Sequence, residues 1–211
     1  MSSLGRGSWR SARFVVVDTE TTGLDPQASE VISFAALPVE DGRILPGELV
    51  RGLVRPRRPP AAESVEVHGL RAADLKTARA APEALGPLAA ALTGRTPVVH
   101  AAWVERAFLR HHLAAVGASW PKRVVDTTTL FRLLCLERGE RDPGLCSLGA
   151  VASALGLPSH RPHVAEGDAL TTAQAFLALA THLEGHGHRT LRALTGAERR
   201  LRERELWLPP G

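Results

Sequence analysis

Apolar residues run without interruption from Phe14 to Val17, then the pattern switches to Asp18-Thr19-Glu20 before Thr21-Thr22-Gly23-Leu24-Asp25-Pro26. This run, rich in β-branched residues and closed by turn formers, predicts a buried strand over 13–17. A second run, EVISFAALPV at 30–39, predicts another strand. Asp41-Gly42 supplies a tight turn, and 44–54 returns as a third, less regular strand. The three read as an antiparallel meander. Residues 56–60 hold three prolines with Arg57 and Arg58 and break the pattern as a loop. From Ala72 the period becomes helical, with Pro82 at a helix start ahead of Leu85, Leu88, Ala89 and Leu92. TPVVH at 96–100 is a short buried strand followed by a helix over 103–116. Val124-Val125 forms a strand ended by Asp126, and helices follow over 127–136 and 147–155, the second stopped by Gly156 and Pro158. The longest helical run is 168–183, with Ala169, Thr172, Ala173, Phe176, Ala180 and Leu183 on one face. A final arginine-rich amphipathic helix, AERRLRERELWL at 197–208, lays Leu201 and Trp207 on the body. Antiparallel strands followed by alternating strands and helices predict a mixed α/β sheet with helices on its faces.

The chain of 211 residues fits one domain with a modest appendage. The pattern divides it into a disordered tail over 1–12, a body over 13–184 and a basic helical extension over 185–211. The first dozen residues carry Arg6 and Arg10 but no apolar core, so they do not read as a secretory signal. No stretch approaches the roughly 20 apolar residues of a membrane span. Cys135 and Cys146 lack any Cys-x-x-Cys or Cys/His pattern, which points away from zinc and disulfides and toward a reducing cytoplasm. A formal charge of +4 and a pI near 10.0 tolerate a polyanionic partner without requiring one.

The candidate chemistry sits where the first strand ends. Side chains alternate along a strand, so Asp18 and Glu20 point to the same side. Two acids on one face of a core strand repel and are costly to desolvate, and a hard divalent cation resolves that cost. Glu105 stands two residues into a predicted helix, and Asp168 opens the longest one with His163 five positions ahead. Taken singly, each has a structural explanation: an acid in a helical first turn complements the dipole, and Asp126 at a strand end suits a cap. Together they suit phosphoryl transfer. Two divalent ions roughly 3.5–4 Å apart can clamp the attacking and leaving oxygens, and a histidine can take the proton of the attacking water.

Four blocks carry a family resemblance: VVVDTETTGL at 15–24, ESVEVHGL at 63–70, VVHAAWVERAFL at 98–109 and HVAEGDA at 163–169. The chain resembles the DEDDh (DnaQ-like) branch of the DEDD 3′→5′ exonucleases, the family of the epsilon proofreading subunit of bacterial DNA polymerase III. The resemblance implies a ribonuclease H-like fold with a five-stranded mixed sheet. It implies Asp18, Glu20, Glu105 and Asp168 as the carboxylates for two divalent ions, Mg²⁺ or Mn²⁺, and His163 as general base. It places Thr21, Thr22, Gly23, Leu24, Glu63 and His68 against the terminal nucleotide. A sister branch uses tyrosine as the base, and this chain contains no tyrosine. The second block departs from the family's His-Asn-Ala-x-Phe-Asp: alanine stands at 101 in place of asparagine, and Glu105 in place of aspartate.

The implied partner is a nucleic acid, DNA or RNA, with a free 3′ end, single-stranded by preference. The C-terminal helix is a candidate contact for a polymerase or other protein. Two other readings fit the same residues: a binding protein on this fold with little catalysis, for which Glu105 is the sign, and a phosphohydrolase acting on small nucleotides.

Overall fold

The computed structural model describes residues 7–205; the first six residues and 206–211, including Trp207 of the expected last helix, lie outside the described residues. Strand β1 (Phe14–Thr21) pairs antiparallel with β2 (Val31–Glu40), which pairs antiparallel with β4 (Val50–Arg55). On its other side β1 pairs parallel with β6 (Thr96–Val99), and β6 pairs parallel with β7 (Val125–Asp126). The described sheet has seven strands rather than the expected five, in the order β5-β4-β2-β1-β6-β7, with β3 (Arg43–Ile44) on β2 and β5 (Arg79–Ala80) parallel to β4. Both additional strands are two residues long, too short to leave a periodic signal. The expected third strand over 44–54 is divided, because Pro46–Glu48 forms a 3₁₀ turn between β3 and β4. Asp41 and Gly42 both take positive φ, 50° and 69°, as a tight hairpin turn demands.

The alternation of β1 explains its unbroken apolar run. Phe14 and Val16 enter one core with Phe176 of α8 (Ala165–Gly185) and the buried face of α6 (Thr127–Glu137). Val15 and Val17 enter a second core against Leu85, Leu88 of α4 (Gly86–Leu92), and Leu109 and Leu113 of α5 (Ala102–Ala115). A strand covered on both faces has no polar side to display until it leaves the core. The remaining helices are α1 (Ala62–His68), α2 (Ala72–Leu75), α3 (Ala81–Ala84), α7 (Leu148–Ala154), α9 (Leu191–Thr195) and α10 (Ala197–Glu205). Because β1 and β6 are parallel, their carboxyl ends meet at one edge, where α5 departs. Open sheets bind ligands at such edges.

Two expectations change. The tail over 1–12 is ordered from Ser8, which bridges to Thr190. Trp9, only 1% exposed, packs edge-on against Phe176 with ring centroids 5.9 Å apart, and its backbone N–H donates to the Arg189 carbonyl at 3.1 Å. A lone tryptophan among serines and arginines has no periodicity, so burial of this kind is invisible to pattern. The extension after 184 is likewise part of the body: Leu191, Leu194, Ala197 and Leu201 are buried in the α8 core. Cutting Trp9 back in Trp9→Ala should therefore destabilise the protein by about 3–5 kcal/mol, as for other buried aromatics, read by denaturant unfolding; a dispensable tail would leave the midpoint unchanged.

Candidate active site

Asp18, Glu20 and Asp168 converge. One carboxylate oxygen from each lies within 4.8 Å of the others. Asp18 and Glu20 share the β1 face that looks toward α8, the face of Phe14 and Val16, and Asp168 sits in the first turn of that helix. The helix begins at Ala165, three residues before the expected start, so Asp168 is inside the first turn rather than at its opening. Neither Asp18 nor Glu20 accepts a hydrogen bond or faces a cation among the described residues. Burial, then repulsion from Glu105, Glu20 and Asp168, raises the Asp18 carboxyl well above its ordinary range. Burial and then Asp168 push Glu20 up to about 7. Burial also raises Asp168, opposed by the His163 backbone N–H that donates to its Oδ2 at 2.8 Å. Three acids that no arginine or lysine pairs with, offering oxygen donors only and partly open to solvent, suit a hard divalent cation.

Glu105 lies outside the 4.8 Å cluster of this trio, although its repulsion is the largest of those acting on Asp18. It is 4% exposed, and its Oε2 accepts from the Thr19 hydroxyl at 3.0 Å. Thr19 alternates with Asp18 and Glu20, so it faces α5 while they face α8. Burial pushes Glu105 up to about 8, against the Thr19 hydrogen bonds that pull it down, with repulsion from Glu20 adding to the rise. Thr19 is a residue that motif reading overlooked; only the strand alternation points to it.

His163 lies in a tight approach loop. Arg161 and His163 both take left-handed backbones, φ 42° and 60°, and the His163 side chain is exposed. Gly167 explains the geometry: a β-carbon there would sit 2.0 Å from the His160 carbonyl oxygen. His68 stands across from His163. Leu70 N–H donates to its Nδ1 at 3.0 Å, so Nε2 carries the proton and donates to the Thr21 carbonyl at 3.2 Å. Burial, with His163 nearby, lowers the His68 pKa.

The turn after β1 is internally tied. The Thr21 hydroxyl donates to the Gly23 carbonyl at 2.7 Å, and Thr22 Oγ1 accepts from Glu30 N–H at 2.9 Å. A register shift at Glu20/Thr21 turns the chain out of the ladder there, as bulges near active sites do. Leu24 is 93% exposed and Glu63 faces solvent from the first turn of α1; neither contacts the acidic trio. Asp126 is a cap, as its strand-end position suggests, and a double one. It accepts from Thr128 N–H at the start of α6 and from Ala101 and Ala102 N–H at the start of α5. Ala101, at the family's asparagine position, takes a left-handed φ of 63°, a conformation asparagine tolerates far better than alanine.

A mixed sheet whose central strand delivers two acids to a third at the start of a packed helix defines a ribonuclease H-like hydrolase site. Residues 15–176 match the exonuclease family, and the chain belongs to that family, in its DnaQ-like 3′→5′ branch. It is 36% identical over 171 residues to "DNA polymerase III PolC-type" of Thermotoga petrophila, covering 81% of this chain and 12% of the relative. It is 36% identical over 184 residues to "DNA polymerase III subunit epsilon-like protein" of Rhodobacter capsulatus, covering 86% of this chain and 25% of the relative. The chain thus spans a quarter or less of these two proteins. Among solved structures, Exonuclease X in complex with 5′ overhanging duplex DNA superposes with a TM-score of 0.67 at 22% identity, covering 87% of this chain and 98% of that one. E. coli Exonuclease I in complex with a dT13 oligonucleotide gives a TM-score of 0.67 at 18% identity, covering 82% of this chain and 42% of that one. These two likenesses establish the fold. No helix among the described residues is long and apolar enough to cross a membrane.

Two outcomes follow from this geometry. The unfolded chain ionises carboxylates near pH 4–4.5, whereas the folded chain retains protons up to about 7 on Glu20 and about 8 on Glu105. Stability from the protonated acids is complete below that lower range and is lost as pH rises through 7 to 8. With a chelator present, the melting temperature should fall between pH 5 and 8, and Asp18→Asn should flatten the fall; a level profile in the parent would show the acids to be freely ionised. Gly167→Ala should destabilise by about 1–3 kcal/mol through overpacking, outweighing the roughly 1 kcal/mol that alanine ordinarily gains over glycine in a helix. A higher melting temperature for this variant would mean the His160 carbonyl yields without cost.

Proposed function

We propose that the protein removes nucleotides one at a time from the 3′ end of a nucleic acid strand, releasing nucleoside 5′-monophosphates. The observation that carries this reading is the convergence of Asp18, Glu20 and Asp168, three repelling carboxylates that no arginine or lysine pairs with among the described residues. Asp18, Glu20 and Asp168 would hold divalent ions, Mg²⁺ or Mn²⁺, with Glu105 adding negative charge from the α5 side. Bound there as a pair, such ions supply charge neutralisation and a water acidified enough to attack phosphorus. His163, exposed at the rim, would take the proton of the attacking water as general base. His68 holds the Thr21 carbonyl and with it the Thr21–Leu24 turn, which receives the terminal sugar and base; Glu63 and the exposed Leu24 complete that receiving surface. A terminal nucleotide must leave its stack to reach such a turn, so a single strand or frayed end is preferred. DNA is the substrate favoured by the relatives' names, PolC-type and epsilon-like DNA polymerase III proteins. Work alongside a polymerase, with α10 as the docking element, belongs to the same proposal.

Digestion of matched 3′-labelled DNA and RNA oligonucleotides with magnesium, manganese or chelator tests the reading. Asp18→Asn and Asp168→Asn should lose essentially all activity while remaining folded, since each removes a repelled charge. Near-normal turnover by either would end the metal assignment. His163→Ala should keep its metal affinity yet turn over roughly 10²–10⁴-fold more slowly, the usual contribution of a general base. A normal rate would place water activation elsewhere. Glu105→Gln retains an acceptor for Thr19 but not the charge. A rate loss of at least about tenfold, the scale of a single electrostatic contact of 1.4 kcal/mol, is expected, and parental activity would reduce Glu105 to a structural residue.

A further inference from the structure

Along α5, Trp103, Arg106 and Arg110 are spaced i, i+3 and i+7 and so share one face. All three are exposed, Trp103 at 63%. Arg106 and Arg110, with His111 and Lys122, line a groove of about 680 Å³ whose wall includes Trp120 and whose lining contains no acid. Arg106, Arg110 and Lys122 make no side-chain ion pair or hydrogen bond among the described residues. The acids nearest this surface are already committed. Asp126 accepts three backbone N–H groups, and Glu198, beside Arg106 and Lys122 in an adjoining cleft, pairs with Arg202. Arg106 follows Glu105 in α5, and Trp103, one turn nearer the start of that helix, lies toward the edge of the sheet where Asp18 and Glu20 stand.

We infer that this groove is a second nucleic-acid contact, which tracks the phosphates of the strand upstream of the nucleotide being removed. The inference rests on the exonuclease reading for the identity of the strand. Trp103 offers a π-face on which any base can stack, and the two arginines and Lys122 neutralise successive phosphates. From Trp103 to Arg110 the helix rises about 10 Å, at 1.5 Å per residue, enough to follow more than one nucleotide. The track lends grip without sequence preference, because stacking and phosphate contacts carry no base code.

Binding measured without catalysis decides the matter. A fluorescent dT16 and a dT2 are titrated against the full chain in chelator, at several salt concentrations. For Arg106→Gln/Arg110→Gln/Lys122→Gln the dT16 affinity should fall about ten- to a hundredfold, and the slope of log K against log salt should drop by about 2, at ~0.7 per phosphate contact on a single strand. Trp103→Ala should weaken dT16 roughly tenfold. The dT2 affinity should change less than twofold in both variants. Equal dT16 affinity and salt slope in parent and triple variant, or tighter binding of a polyglutamate peptide than of dT16, would overturn the inference. A parent that binds dT16 with the expected slope but cleaves nothing in magnesium or manganese would sustain the groove and sink the exonuclease reading.

Discussion

The site depends on one electrostatic conflict. β1 lies at the middle of the sheet, covered on both faces by apolar residues, and it ends in two acids that no arginine or lysine neutralises. Placing Asp168 opposite them makes the conflict worse. A fold that tolerates three such groups spends stability on them, and it recovers that stability when a cation enters or a proton stays. The raised carboxyls of all three acids are the mark of that conflict. The supporting structure is correspondingly stiff: apolar packing on both sides of the strand prevents the acids from turning away.

Much of this was legible in residue order. The run from Phe14 to Val17, its alternation into Asp18 and Glu20, and the breakers after it were enough to place a strand and a shared face. The Asp41-Gly42 turn and the helices after β6 and β7 were visible for the same reason, since each has a periodic pattern with a local stop. What escaped was set by distance along the chain. Trp9 owes its burial to Phe176, and β5 owes its existence to β4, partners that no local window contains. The early start of α8 depends on Gly167 fitting beneath the His160 carbonyl, a contact between two segments whose sequences give no sign of touching.

Glu105 shows how motif and geometry differ in what they resolve. The motif supplies a carboxylate in the right block, and the packing of α5 on the Val15 and Val17 face decides from which side of the sheet it approaches. Its hydrogen-bond partner is Thr19, which alternates with Asp18 and Glu20, while its charge acts on Asp18. The longer side chain and the changed residue at 101 occur in the same block, and both fall where α5 leaves the sheet. Ala101 adopts a backbone that its side chain disfavours, yet its N–H and that of Ala102 are held by Asp126. The departure of α5 is therefore fixed by a carboxylate cap from the neighbouring strand, not by the residue at the bend.

The contact between Gly167 and the His160 carbonyl has a kinematic consequence. His163 is tied to Asp168 through its backbone N–H, and the loop before it rests directly on the first turn of α8. Asp168 and His163 are thus coupled parts of a single body anchored in the core by Phe176. Separating them requires unpacking that core. On the opposite bank α1 is short, buries none of its residues, and is joined to the turn after β1 by the His68 hydrogen bond. One wall of the cleft is packed into the core, and the other is held by hydrogen bonds.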